Sequence, residues 1–198
     1  MLPPLNDLLI ECSRQHGHLC PGQVLGARMA LLGCSLIGIA DPRQQDRKKI
    51  IIWVEIDRCL ADAVGIVTGT RLGRRTLKFV NYGKIAASFL NLESNRAYRV
   101  CVPESSREMA NLRYGKIVDK KARQMLAYTE ASDNELFVSN EVRIHYNEFD
   151  LPGPPRSRAS CARCGEEVND KREVISATNE KLCRPCADGG YYERLYSS

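Results

Sequence analysis

Gln15-His16-Gly17-His18-Leu19-Cys20-Pro21-Gly22 sets two of the chain's three histidines and one cysteine within five positions. Imidazole and thiolate are the donors that Zn, Ni, Cu and Fe prefer. In an extended segment, side chains at i and i+2 point the same way, so His16, His18 and Cys20 can converge. Pro21 suits the first turn of a helix. That helix would present its N-terminus beside Cys20, lowering the thiol pKa and favouring the thiolate. The second piece is Asp57-Arg58-Cys59-Leu60-Ala61-Asp62, with Cys59 where a strand hands over to a helix and Asp62 one turn further on. If the two pieces meet, His18, Cys20 and Cys59 make a three-ligand site with one open position, which catalysis or ligand binding requires. The same residues also read as a thiol catalyst, with Cys20 or Cys59 as nucleophile or redox thiol and His18 as base or orienter. The plain alternative for any such residue is packing. Cys12, Cys34 and Cys101 sit among apolar neighbours and read that way.

The strongest local spacing lies near the C-terminus. Cys161-Ala-Arg-Cys164 and Cys183-Arg-Pro-Cys186 are separated by 18 residues. Two sulfurs in one tight turn can face one ion, and two such turns complete a tetrahedral zinc site. Four thiolates leave no open position, so this zinc is structural. Two redox dithiols or disulfides are the other reading of the same spacing. A hairpin is expected from Glu173–Thr178 to Lys181-Leu182, turning at Thr178-Asn179-Glu180. The module has few large apolar side chains, so metal binding should supply much of its folding free energy.

Length and composition bound the rest. The chain has 198 residues, 43% hydrophobic and 27% charged, which suits a globular protein with one core and a small appended module. Its apolar stretches are too short or too interrupted to span a bilayer, and Met1–Asp7 has neither the basic nor the apolar region of a signal peptide. Nine cysteines without a secretion signal favour a reducing cytoplasm and metal-bound thiolates. A net charge of +5 does not demand nucleic acid. The densest basic group, Arg71, Arg74 and Arg75, reads as a solvated face. In the C-terminal module acidic residues interleave with the basic ones, against a phosphate-tracking surface.

Positioning these residues falls to a mixed set of elements. Leu5–Arg14 reads as a short helix and Gln23–Ile37, following Pro21, as a longer one. Gly22, Gly26, Ala30 and Gly33 form a stripe of small residues on the second helix, so it should be approached closely by another backbone. Ile50–Ile56 reads as a buried strand. Cys59–Thr68 reads as a helix, with Asp57 as its cap, and Val118–Ala131 as another. Thr76–Val80, Tyr98–Val102, Leu136–Ser139 and Val142–Tyr146 read as strands. The expected class is α+β: a mixed-sheet core domain packed with helices, plus a small C-terminal zinc finger. The domains are 1–150, a Pro-rich linker at 151–158 where Pro152, Pro154 and Pro155 hold the backbone extended, and the finger at 159–198.

Four motifs together resemble the FmdE family of formylmethanofuran dehydrogenase proteins: His16-Gly-His18-Leu-Cys20-Pro21-Gly22; Cys59-Leu-Ala-Asp62-Ala63-Val64; Thr68-Gly69-Thr70 with Gly73; and Tyr82-Gly83-Lys84-Ile-Ala86. The finger, with a knuckle, a hairpin and a second CxxC at a helix start, resembles treble clefs of the TraR/DksA kind. The resemblance implies an α+β core, paired as a homodimer. It also implies an association with molybdenum- or tungsten-dependent formylmethanofuran dehydrogenase, an oxidoreductase whose other polypeptides would be the partners. By the same resemblance His16, His18, Cys20, Cys59 and Asp62 line a site for a second transition metal or for catalysis, and Lys84 borders it. No family motif covers Cys101–Asp150. The chain has no cysteine set for an iron–sulfur cluster beyond the finger, and Thr68–Gly73 fits neither a dinucleotide nor a P-loop pattern. An accessory role therefore fits better than carriage of the redox centres.

Overall fold

In the computed structural model, residues 2–193 and 195 are described. Of the finger expected over 159–198, residues 194 and 196–198 lie outside them. Contacts cluster into two compact units, Met1–His145 and Tyr146–Ser198.

The first unit is α+β. Helices α1 (Leu5–His16) and α2 (Pro21–Leu36) precede strand β1 (Ile50–Val54), helix α3 (Cys59–Thr68) and strands β2 (Leu77–Phe79), β3 (Ala86–Asn91) and β4 (Ala97–Cys101). Helices α4 (Ser105–Arg113), α5 (Lys120–Glu130) and α6 (Asp133–Leu136) and strand β5 (Val138–Glu141) follow. The sheet order is β2-β1-β3-β4-β5. Only the β1–β2 pair is parallel, because α3 carries the chain back across between those strands. Ile50, Ile52, Val54, Ala87, Phe89 and Val100 turn towards the helices in one core cluster.

Helix α2 is the centre of that core. Gln23, Val24, Leu25, Gly26, Ala27, Met29, Ala30, Gly33 and Cys34 are all buried. The small-residue stripe serves as the sequence suggests. A Cβ on Gly26 would stand 2.6 Å from the Leu60 carbonyl oxygen and 2.8 Å from Ala63 Cβ. A Cβ on Gly33 would meet the Phe89 ring at 2.5 Å. Arg28, the charge within this helix, reaches the end of α5. It donates to the Tyr128 carbonyl (3.0 Å) and to Asp133 Oδ1 (2.6 Å), which satisfies an acceptor that a helix C-terminus leaves open.

Several local expectations shift. Asp57 does not cap α3: the N-cap position is Arg58, and no side chain there accepts a cap bond. Strand β3 and helix α4 go beyond the sequence reading. The β3 segment Ala-Ala-Ser-Phe-Leu-Asn has no β-branched residue, yet it is buried along its whole length. In α4 only Ser106 and Ala110 are buried, too few for a readable apolar stripe. Val142–Tyr146 forms no strand; one bond, from Val142 N–H to the Ala97 carbonyl (3.0 Å), extends the β4–β5 ladder. Cys12 and Cys34 are packed as expected, and burial pushes their thiols up to about 11 and about 12; Cys101 is half-buried.

The second unit has two small antiparallel pairs, β6 (Arg158–Ser160) with β7 (Glu167–Asn169) and β8 (Val174–Ile175) with β9 (Lys181–Leu182), followed by the short helix α7 (Arg184–Asp188). Asn179 turns the second hairpin in the left-handed region, at φ 62°. The buried cluster is only Cys161, Leu182 and Cys183. Among the described residues no helix is long and apolar enough to cross a membrane.

The α2–α3 contact gives a direct test. Ala has better helix propensity than Gly by about 1 kcal/mol, so Gly26→Ala would stabilise an unencumbered helix. Here the added methyl collides with α3 backbone, which cannot yield as a flexible side chain would, and overpacking costs about 1–3 kcal/mol, enough to outweigh that gain. Denaturant unfolding should show a net loss of stability for Gly26→Ala.

Candidate metal centres and an adjoining cavity

Three helix ends build the first site. Helix α1 runs as far as His16 and stops because Gly17 takes a left-handed conformation, φ 91°, with its N–H on the Ser13 carbonyl (2.9 Å). After a short turn Cys20 becomes the extended N-cap of α2, and its carbonyl accepts from Gln23 and Val24 N–H (3.0 and 3.2 Å). Cys59 opens α3 just beyond the carboxyl end of β1. A Cβ on Gly22 would lie 3.4 Å from Cys59 Cβ and 3.8 Å from Cys20 Sγ. Glycine there lets the two helix starts lie side by side.

The outcome is convergence. One donor atom each from His16, Cys20 and Cys59 lies within 4.8 Å of the others. His16 Nδ1 is 3.1 Å from Asp62 Oδ2. An Nδ1–H held by a carboxylate leaves Nε2 with its lone pair free for an ion, the arrangement that orients metal-bound imidazoles. Asp62 thus positions His16 from behind. Three donors on a tetrahedral ion leave one position open. Burial, and then the hydrogen bond with Cys20, push the Cys59 thiol up.

His18 stands elsewhere. It is exposed, outside the donor group, with its ring centroid 5.0 Å from that of His16. The same-side argument needs an extended segment, but His16 ends a helix and Gly17 reverses the chain. Lys84 is exposed and does not line the cavity described next.

His16 and Asp62 also form part of the wall of a cavity of about 850 Å³. It lies between α1, α3, the carboxyl end of β1 and β2. Arg43 ties two of these elements together: it donates to the Val67 and Ile66 carbonyls (2.8 and 2.9 Å) and pairs with Glu11 (2.9 Å). Arg71 and Arg74 line the same cavity. Composition alone made them a solvated face; the available signal was their position directly after Thr68-Gly69-Thr70.

The second centre is Cys161, Cys164, Cys183 and Cys186, whose sulfurs all lie within 4.8 Å of one another. A tetrahedral ion with metal–sulfur bonds of about 2.3 Å needs sulfurs about 3.8 Å apart, and Cys164 and Cys183 are separated by 3.8 Å. Gly165, at φ 75°, turns the first pair and donates to the Cys161 carbonyl (2.9 Å). Backbone N–H groups of Cys183 and then Cys164 hold the Cys161 thiol down to about 6. The hydrogen bond with Cys183 pushes Cys186 up to about 12. Crowded thiols cannot all ionise together unless a cation joins them.

Comparisons with known proteins agree with this architecture. The chain is 26% identical over 205 residues to a protein of Archaeoglobus fulgidus named "Probable S-adenosyl-L-methionine-binding protein". That match takes in 95% of this chain and 54% of the relative, so the chain spans about half the relative's length. The crystal structure of a tungsten formylmethanofuran dehydrogenase FmdE-like protein from Syntrophus aciditrophicus superposes with a TM-score of 0.60 at 18% identity. It covers 96% of this chain and 95% of that one, and shows the same fold. The family described as "FmdE, Molybdenum formylmethanofuran dehydrogenase operon" matches residues 15–140, from the His/Cys segment through β5. With well over half its length in that match, this chain belongs to the FmdE family.

Proposed function

We propose that this chain is a metal-binding accessory protein related to the FmdE component of the molybdenum/tungsten formylmethanofuran dehydrogenase. It holds one structural zinc in a C-terminal treble-clef finger of TraR/DksA type and a second transition metal in the core. The observation that carries the reading is the convergence of His16, Cys20 and Cys59 within 4.8 Å. Borderline-soft nitrogen and sulfur donors suit zinc or a neighbouring first-row metal rather than magnesium or calcium. In this reading the protein works in the cytoplasm as a homodimer, handling or sensing metal beside a metalloenzyme partner.

The residues divide the labour. Cys20 and Cys59 supply charge and soft donors, His16 the nitrogen, and Asp62 the orientation of the ring. A tetrahedral ion on these three donors would have its fourth position left for an exchangeable ligand. In the finger, four sulfurs close the coordination sphere, so that ion staples β6–β9 and α7.

A second reading is that the chain is itself a thiol- or metal-dependent oxidoreductase. The hydrogen bond between Cys20 and Cys59 favours it, since two adjoining thiols can exchange with a disulfide through a mixed disulfide.

Elemental analysis of the purified full chain should find close to one tightly held zinc, and a second equivalent after loading. Cys59→Ser and His16→Ala should lose only the second; His18→Ala should keep both. Loss of nothing in Cys59→Ser would overturn the core site. Asp62→Asn should retain the core ion with an affinity about 10–100-fold weaker, read by competition with a chromophoric chelator. Cys183→Ser should release the first zinc and unfold the second unit, with the far-ultraviolet signal and melting of the first unit retained. For the oxidoreductase reading, metal-free protein should alkylate at Cys20 or Cys59 near neutral pH; alkylation only at high pH removes that reading.

A further inference from the structure

We propose that the cavity beside His16 and Asp62 binds an organic anion: a small molecule with a flat apolar body and a terminal carboxylate or phosphate, held at its acid end by Arg71 and Arg74. The proposal rests on the reading of His16, Cys20 and Cys59 as the reactive end of the same site.

Size and place come first. The cavity volume, about 850 Å³, falls within the range of about 300–1,000 Å³ that small-molecule sites occupy. It runs along α3 beside the parallel strand pair β1–β2, from Ile56 and Asp57 past the carboxyl end of β1 to the Arg71–Arg74 turn that leads into β2.

Charge then selects the ligand. Of the other strong charges on the walls, those of Arg43, Glu11 and Asp62 are matched, while Asp57 is an exposed carboxylate without a side-chain partner among the described residues, so two guanidinium groups face one unmatched carboxylate. Arg43 holds Glu11 and two helix carbonyls, and Asp62 holds His16. Arg71 and Arg74 make no side-chain hydrogen bond or ion pair to other described residues. Their turn is nonetheless fixed. Arg71 N–H donates to Thr76 Oγ1 (3.1 Å), and the Arg71 carbonyl accepts from Arg74 and Leu77 N–H (both 3.2 Å). Arg75 closes the turn in the left-handed region, φ 61°, with its N–H on the Leu72 carbonyl (2.8 Å). Two guanidinium forks on a pinned turn match the geometry of a carboxylate or phosphate.

The walls also ask for an apolar body. Leu72 and Phe79 line the cavity while 64% and 44% exposed, and Ile66 and Leu77 continue the surface inward. A ring seated there would shed water from both faces, and its acid end would reach the arginines while the far end approached His16.

Titration calorimetry on the full chain at low salt tests this with three probes that share one body: 2-naphthoate, 2-naphthyl phosphate and the neutral 2-naphthalenemethanol. Both acids should bind, with the alcohol at least about tenfold weaker. Arg71→Gln/Arg74→Gln should bring both acids down to the level of the alcohol, with the melting temperature unchanged because both side chains are exposed. The tighter acid identifies a carboxylate or a phosphate ligand. Cys59→Ser should lose the core metal and keep acid binding within about twofold. Wild-type protein that binds the acids but takes up no core metal would remove the metal reading and leave the anion site standing. Failure of both acids to bind, equal affinity for the alcohol, or unchanged acid binding in the double variant would overturn the proposal.

Discussion

The contact between α2 and α3 governs the rest of the first unit. Two helices can approach this closely only where one of them lacks a side chain, and Gly26 faces the Leu60 carbonyl and the Ala63 methyl. The approach has two consequences of different kinds. It seals the centre of the core, since α2 has scarcely an exposed face. It also aligns the two helix starts, so that Cys20 and Cys59, 39 positions apart, come within one coordination sphere. Stability and chemistry therefore share one interface, and the glycine that permits the packing also places the sulfurs.

The chemistry is graded by exposure. The four-cysteine centre belongs to a unit whose buried cluster is little more than those cysteines and Leu182; an ion there would substitute for a hydrophobic core. The His/Cys centre sits at the edge of a well-formed core. It has no need to stabilise the fold and can leave a position free. The carboxylate of Asp62 behind His16 and the cavity beside both would suit a site that meets ligands from solution.

Much of this was legible in the residues. The CxxC spacings announced the four-sulfur centre outright, because its ligands are local. The start and end of α3, Cys59 and Thr68, follow from a strand-like run before it and Gly69 after it. The small-residue stripe announced a close helix contact without naming its partner. What stayed hidden was orientation and context. Which of two neighbouring histidines faces the sulfurs depends on where α1 stops, a matter of one residue at Gly17. Strand β3 has alanines and a serine where a strand would show Val or Ile, since it is squeezed between β1 and β4 and small residues fit there. Arg71 and Arg74 look like any solvated pair until the crossover folds them over a hollow. The Pro-rich stretch at 152–155 lies within the second unit, which begins at Tyr146 and holds the Asp150–Arg172 pair.

Three donors drawn from the end of α1 and the starts of α2 and α3 would also make any ion held there a clasp on chain topology. While the clasp is shut, the segment from residue 20 to residue 59 is a closed loop, and the amino-terminal helix cannot peel away without breaking a coordination bond. Arg43 gives α1 a second hold through Glu11, but that one is weaker and weakens further with salt. An ion there would add to the hold that the buried Leu8, Leu9 and Cys12 already give α1 in the core, so metal-loaded protein would open its front end less often than metal-free protein.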